Sequence, residues 1–363
     1  MSYLDVFELS KSFGKTIAVS GIDLSVQEGE LLVLLGTESS GKTTLLRCIA
    51  GLEKPDCGTI ELRGEPLDRK DAAARDMTFV FQDFSLYPRR SVFDNLALPL
   101  KSPRDPLPSE YVRPRVETVA RQLRIEHLLE RAANGLSVEE QRRAAIARAL
   151  VRRPKLFLFD EPLSGLDSQH RALLEDEIFD LQRSQQTTMI YATSDREQAM
   201  SLADRIAVLD EGRILQIAAP SQIYDNPEDM RVALALGSPS INLIPVRFEQ
   251  QRLRWIDADR DSEPPKLRIH QGTYEEGATF FLGVRPEDVV RVPHGGHPGT
   301  VLSVSSFGSD SSLHLRIGDQ ELHSCEPGVS SVEPGQPVHL AFRRGRLHLF
   351  EERGTRLSQN IQS

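Results

Sequence analysis

Glu30–Leu52 reads "ELLVLLGTESSGKTTLLRCIAGL", and its two halves follow different periods. Leu31–Leu35 is an unbroken apolar run suited to a buried strand, whereas Leu45, Leu46, Ile49 and Leu52 recur at helical spacing. Between them lies G-x-x-x-x-G-K-T, from Gly36 to Thr43. A strand that feeds such a loop into a helix makes a phosphate cradle. The glycines let the main chain come close, and the N–H groups of the loop and helix start attract an anion. Lys42 is expected to reach the β- and γ-phosphates of ATP, and the Thr43 hydroxyl to ligate Mg2+, a hard cation that prefers oxygen. Gly36, Glu38, Ser39, Ser40, Gly41, Lys42, Thr43 and Thr44 are therefore the candidate nucleotide-binding residues.

Arg152–Pro162, "RRPKLFLFDEP", supplies the matching half of the site. Leu156–Phe159 reads as a buried parallel strand, and it delivers Asp160 and Glu161 at its carboxyl end, where open α/β sheets place ligands. Asp160 is expected to hold the magnesium shell. Glu161 is placed to orient or deprotonate an attacking water, a task that needs a carboxylate beside the γ-phosphate.

Composition bounds the rest. A chain of 363 residues has room for two or three domains. Cys48, Cys57 and Cys325 form neither a disulfide framework nor a paired zinc spacing, which points to a reducing compartment. No stretch of eighteen apolar residues occurs and the start lacks a leader pattern, so a cytosolic chain that does not cross a membrane is expected. The net charge of −9 disfavours a broad nucleic-acid surface.

The order of motifs resembles the ATP-binding-cassette family over about residues 3–237. "FVFQDFSLYP" (79–88) is similar to the family's glutamine loop, which implies that Gln82 reaches magnesium and that Phe84, Leu86 and Tyr87 face a membrane partner. "LSVEEQRRAAIARAL" (136–150) occupies the signature position, "LSGLD" (163–167) follows the second carboxylate, and "MIYATSDREQAM" (189–200) is the switch loop. The resemblance implies nucleotide-contacting roles for Ser137 and Asp167, and places Phe13 of "SKSFGK" against adenine, a role open to any aromatic face. It also implies two transmembrane permease subunits as partners, a head-to-tail pair of cassettes that share each ATP, and a peripheral position on the cytoplasmic face of the inner membrane.

Three departures from the family pattern cluster at one phosphate. The pattern Leu-Ser-Gly-Gly-Gln keeps Leu136 and Ser137 here but has Val138, Glu139 and Glu140 in place of the rest. Glycine would let N–H groups approach the γ-phosphate, whereas side chains hold the helix off. Like unit charges about 4 Å apart at an effective dielectric near 20 repel by about 4 kcal/mol, an upper figure that solvent and magnesium reduce. Ser137-x-x-Glu140 is also a capping-box pattern, which strengthens the helix with the same N–H groups that a phosphate would need. Ser194 stands where the family carries a histidine, and Glu38 with Ser39 replaces a hydroxyl and a glycine in the phosphate loop. Binding looks preserved and hydrolysis weakened, with Glu161, Ser194 and Gln82 as the residues on which chemistry would depend. Neither site of a homodimer would be intact, so a second, different ATP-binding subunit is expected as partner.

From about Ser238 the chain changes to short β-branched and aromatic runs broken by glycine and proline, such as "TFFLGVRPEDVVRV" (279–292) and "VHLAFRRGRLHLF" (338–350). "SPSINLIPV" (238–246) and "LGVRPEDV" (282–289) resemble the small oligonucleotide-binding-type barrel appended to the ATPases of sugar, polyol and glycerol-phosphate importers. Fourteen Lys and Arg against sixteen Asp and Glu from Val246 onward leave no cationic groove for nucleic acid. Dimerisation or regulation is the expected role. His294 and His297 in "PHGGHPG" lack acidic or cysteine neighbours and are expected to be solvent-exposed. The expected architecture is an α/β phosphate-loop domain over 1–237, with a helical subdomain at about 84–153, then an all-β domain over 238–363. The expected function is ATP-driven coupling in an importer for a sugar, polyol or glycerol-like solute that a solute-binding protein delivers. The alternative is a regulatory cassette that senses nucleotide without driving transport.

Overall fold

The computed structural model describes residues 2–81, 86–102, 106–152, 154–250, 252–256, 268–269, 274–343, 345–357 and 361–362. The chain divides into two compact units between Pro220 and Ser221.

In chain order the first unit contains β1 (Leu4–Phe13), β2 (Thr16–Val26), β3 (Leu31–Leu35), α1 (Lys42–Ala50), β4 (Cys57–Leu62), β5 (Glu65–Pro66) and β6 (Met77–Val80). There follow α2 (Val92–Ala97), α3 (Ser109–Gln122), α4 (Val138–Leu150), β7 (Leu156–Asp160), α5 (Ser168–Gln185), β8 (Met189–Thr193), α6 (Arg196–Leu202), β9 (Arg205–Asp210) and β10 (Arg213–Ala218). The central sheet runs β10-β9-β3-β8-β7-β6 and is parallel except for its β10 edge. Every residue of β3, β7 and β8 is buried, which is why these strands read as continuous apolar runs without alternation. A second, antiparallel sheet, β2-β1-β4-β5, shares an apolar core with α1 and one face of the central strands, including Leu4, Val19, Leu34, Leu45, Ile49 and Leu158.

Parallel register positions the candidate site. Leu35 pairs with Thr193 and Asp160 with Ala192, so the loops that leave β3, β7 and β8 emerge along one edge of the sheet. The region expected to be helical carries α2, α3 and α4. Ser91 caps α2 by accepting from the Asp94 N–H, and buried Asn95 ties the preceding loop by accepting from the Tyr87 N–H. Helix α3 begins at Ser109, directly after Pro108.

The second unit holds two antiparallel sheets on one apolar core that includes Ile244, Val246, Leu282, Leu313, Leu315, Leu340 and Leu349. The six-stranded sheet is built around Asn242–Glu249 and Thr279–Val284, the five-stranded one around His297–Phe307 and Asp310–Ile317. The division at Pro220/Ser221 lies upstream of the compositional change at 238. Buried Arg285 of "GVRPEDV" accounts for the difference. Its guanidinium donates to the carbonyls of Ala233 (3.0 Å), Leu236 (2.9 Å) and Tyr224 (3.0 Å), which fastens the helical segment to the strands that follow it. Composition registers where strands begin; packing registers what they hold. His297 departs from the expectation of solvent exposure: it is buried and packs its ring against Trp255 and Phe342, while His294 is exposed.

Candidate functional site

The turn between β3 and α1 leaves room for nothing but glycine at its two ends. A Cβ on Gly36 would lie 2.4 Å from the Leu209 carbonyl oxygen. Gly41 has φ +105°, and a Cβ there would lie 2.4 Å from the Ala18 carbonyl oxygen. Inside this turn Lys42 is 4% exposed, its Nζ donating to the carbonyls of Gly36 and Thr37 (2.8 Å each) and lying 3.4 Å from Glu161 Oε1. The Ser40 hydroxyl is buried without a hydrogen-bond partner among the described residues. Glu38, Ser39 and Thr43 are exposed, Thr44 is half-buried, and Ser39 takes a left-handed φ of 66°.

The carboxylates of β7 meet this turn. Thr43 Oγ1 donates to Asp160 Oδ1 at 2.9 Å. Burial pushes the Asp160 pKa up, and the Glu161 charge beside it pushes the same way, against the Thr43 hydrogen bond and Lys42. Glu161 sits at φ 46°, a left-handed conformation unusual for a residue with a side chain. Ser194 is exposed and directly follows Thr193, whose carbonyl accepts from the Gly36 N–H at 3.3 Å. Lys42, Thr43, Asp160, Glu161 and Ser194 therefore gather at one edge. Gln82, Phe84 and the rest of 82–85 lie outside the described residues; Tyr87 is half-exposed. Phe13 ends β1 and is 48% exposed, and the Lys11 ammonium lies 5.3 Å from its ring centre.

The N-terminus of α4 is a different kind of helix end. Glu140 Oε2 accepts from the Ser137 N–H (2.7 Å) while Ser137 Oγ accepts from the Glu140 N–H (3.2 Å), a closed capping box. That main-chain hydrogen bond is the chief reason the Glu140 pKa is held down, and Arg131, 3.4 Å away, adds to it. Glu139 pairs with Arg143 (3.1 Å) and with His170 (3.2 Å), whose other ring nitrogen lies 2.6 Å from Asp167. Asp167 also caps α5, accepting from the N–H groups of Gln169 and His170. The capping box matches the Ser137-x-x-Glu140 pattern, whereas the pairings of Glu139, His170 and Arg131 were not anticipated from the sequence, although Glu139–Arg143 has the i,i+4 spacing that signals a helical pair. Asp195 was also missed. It caps α6 through the N–H groups of Glu197 and Gln198 and binds Arg171 at 2.7 Å, and Asp before Arg-Glu-Gln is a legible cap signal.

Residues 19–164 match the family described as ABC transporter, and residues 282–350 match the TOBE domain. The alpha-glucoside transport ATP-binding protein AglK of Rhizobium meliloti (strain 1021) is 36% identical over 360 residues, covering 98% of this chain and 99% of the relative. This chain belongs to the ABC transporter family. The sn-glycerol-3-phosphate import ATP-binding protein UgpC 2 of Agrobacterium fabrum (strain C58 / ATCC 33970) is 36% identical over 352 residues, with 97% and 93% coverage. Among solved structures, cbiO1 from Clostridium perfringens, part of the ABC transporter complex cbiONQ, superposes with a TM-score of 0.57 at 30% identity, covering 63% of this chain and 93% of that one. The ATP-binding cassette MJ0796, a dimer bound to ADP and Pi in a post-hydrolysis state, gives 0.55 at 28% identity, covering 60% and 98%. The α/β phosphate-loop fold followed by a β-rich domain is thus established, and among the described residues no helix is long and apolar enough to cross a membrane.

Proposed function

We propose that this chain is the ATP-binding, energy-coupling subunit of an importer for a sugar, polyol or glycerol-like solute. It would sit on the cytoplasmic face of the inner membrane against two transmembrane permease subunits, with a solute-binding protein as an indirect partner. The observation that carries the reading is the convergence of buried Lys42, the unpartnered Ser40 hydroxyl and the Thr43–Asp160 pair at the carboxyl edge of one parallel sheet. Among the described residues the buried Ser40 hydroxyl has no acceptor, and the Lys42 ammonium is shared between two carbonyls and Glu161. A phosphate would satisfy both.

The donor set also fits magnesium. Thr43 and Asp160 offer hard oxygens 2.9 Å apart, and a cation would relieve a carboxylate that burial and Glu161 both disfavour. Thr43, Asp160 and Gln82 would hold the ion, which when bound neutralises charge on the β- and γ-phosphates. Lys42 would turn from the Gly36 and Thr37 carbonyls to the phosphates. Glu161, released from Lys42, would orient the attacking water, and the exposed Phe13 ring would lie against adenine. The names of the relatives, an alpha-glucoside transporter and a glycerol-3-phosphate importer, support the solute class.

Weak hydrolysis is part of the proposal. Glu139 and Glu140 are paired with Arg143, His170 and Arg131, so their repulsion of a phosphate is smaller than that of bare charges. The larger obstacle is that the Ser137 and Glu140 N–H groups are already taken within the capping box. Ser194 can give one hydrogen bond but carries no positive charge. With both defects present in a homodimer, the proposed partner is a second, different ATPase subunit. Co-expression with the membrane subunits tests this: recovery of a lone cassette species that hydrolyses ATP as fast as solute enters, with Ser194→Ala harmless, would sink both weak hydrolysis and unequal pairing. Recovery with no membrane subunit under any condition would favour the nucleotide-sensing alternative.

A further inference from the structure

Both ring nitrogens of His170 lie within hydrogen-bond distance of a carboxylate oxygen, Nδ1 at 2.6 Å from Asp167 Oδ2 and Nε2 at 3.2 Å from Glu139 Oε2. A neutral imidazole has one N–H and one lone pair, so one of the two contacts would set a lone pair against an anionic oxygen. Only the imidazolium donates to both. We propose that protonated His170 is a positioning residue, a cationic bridge that ties Glu139 at the head of α4 to Asp167 at the head of α5. Its functional consequence rests on the proposed role of α4 as the phosphate-facing helix of a paired cassette.

The surroundings support the charged form. Asp167 faces the ring from the turn before α5; Glu139 and Arg143 face it from α4. Arg143 opposes protonation, but its guanidinium is divided between Glu139 (3.1 Å) and Glu177 (2.6 Å). The hydrogen bond that His170 donates to Asp167 and the charge of Glu139 dominate, and they raise the His170 pKa above its ordinary value. The bridge is therefore complete below the ordinary histidine value and is lost as pH rises through the raised one. Once lost, two carboxylates at adjacent helix heads face each other without the cation between them. Closure on ATP should weaken with rising pH.

Two measurements on the full-length protein decide the matter. In a histidine-selective NMR titration, with the resonance assigned from His170→Gln, His170 should titrate above about 6.5 and move down in Glu139→Gln. Titration at or below that value, unmoved in Glu139→Gln, overturns the bridge. In light-scattering assays of Mg-ATP-dependent association, the ATP concentration at half-association should rise about fivefold between about pH 6 and pH 9. His170→Arg, which keeps a cation at all these pH values, should flatten that rise, and His170→Leu should associate weakly throughout. A pH dependence unchanged in His170→Arg overturns the positioning role. Absence of ATP binding at every pH would count against the nucleotide-binding reading itself, and the titration would still decide the bridge.

Discussion

Helices α1 and α4 each begin with main-chain N–H groups that an α-helix cannot satisfy internally, and the chain treats the two ends in opposite ways. At α1 the cap is Gly41, with no side-chain hydrogen bond and no acidic residue in the first turn. At α4 the cap is Ser137, closed by Glu140, with Glu139 beside it. The dipole is alike at both ends, and both attract negative charge. The difference lies in where that charge comes from. A glycine cap leaves the donors for a ligand, while a capping box fills them from the chain itself. A helix start thus serves as a binding site only to the extent that its own sequence leaves it unfinished.

The contrast breaks most visibly at the α1 end. Glu161→Gln should retain ATP binding and lower the residual turnover of the assembled complex by about 100-fold or more, the range expected for removing a group that activates water. Unchanged turnover would mean that cleavage does not depend on this edge of the sheet. Lys42→Met keeps the stem and removes the charge, and it should weaken ATP binding by about 10–100-fold, as titration calorimetry would read it. Equal affinity in that variant would remove the reason to regard α1 as the open end.

The α1 end was legible in the sequence because its chemistry is local: strand, glycine turn, lysine and hydroxyl lie within thirteen residues, Leu31 to Thr43, and each acts through its own backbone position. Asp160 and Glu161 were legible as a strand end, but their meeting with Thr43 and Lys42 is made by the β3-β8-β7 register. The capping box could be read from Ser-x-x-Glu. The Glu139–His170–Asp167 chain could not, since it joins residues from two helices whose contact no period or spacing encodes. His297 was misjudged for the same reason. Glycines around it suggested an exposed loop, yet the aromatic rings that bury it come from Trp255 and Phe342, far away in the chain.

Reopening α4 should sharpen the contrast. The variant Val138→Gly/Glu139→Gly/Glu140→Gln restores the family's signature sequence and removes both carboxylates. It should lower unfolding free energy by about 1–2 kcal/mol through added glycine freedom and lost pairing, as read by urea denaturation. Turnover of the assembled complex should rise severalfold. Stability and activity moving in opposite directions is the signature of donors transferred from cap to ligand. If both fall, the helix start does no more than hold the helix.

The smallest effect isolates the cap from the charge. Glu140 is held below the ordinary glutamate range chiefly by the hydrogen bond from the Ser137 N–H. A depressed carboxyl contributes stability that is fully present above its unfolded value, about 4.3, and is lost as pH falls through the folded value. Glu140→Gln keeps a side chain able to accept at the same position but cannot titrate. Wild type and variant should therefore differ above about pH 5 by no more than about 1 kcal/mol, and converge in acid, as thermal melts across that range would show. A difference that stays constant into acid would place the Glu140 contribution in packing, and the donors at Ser137 would then be free for a phosphate after all.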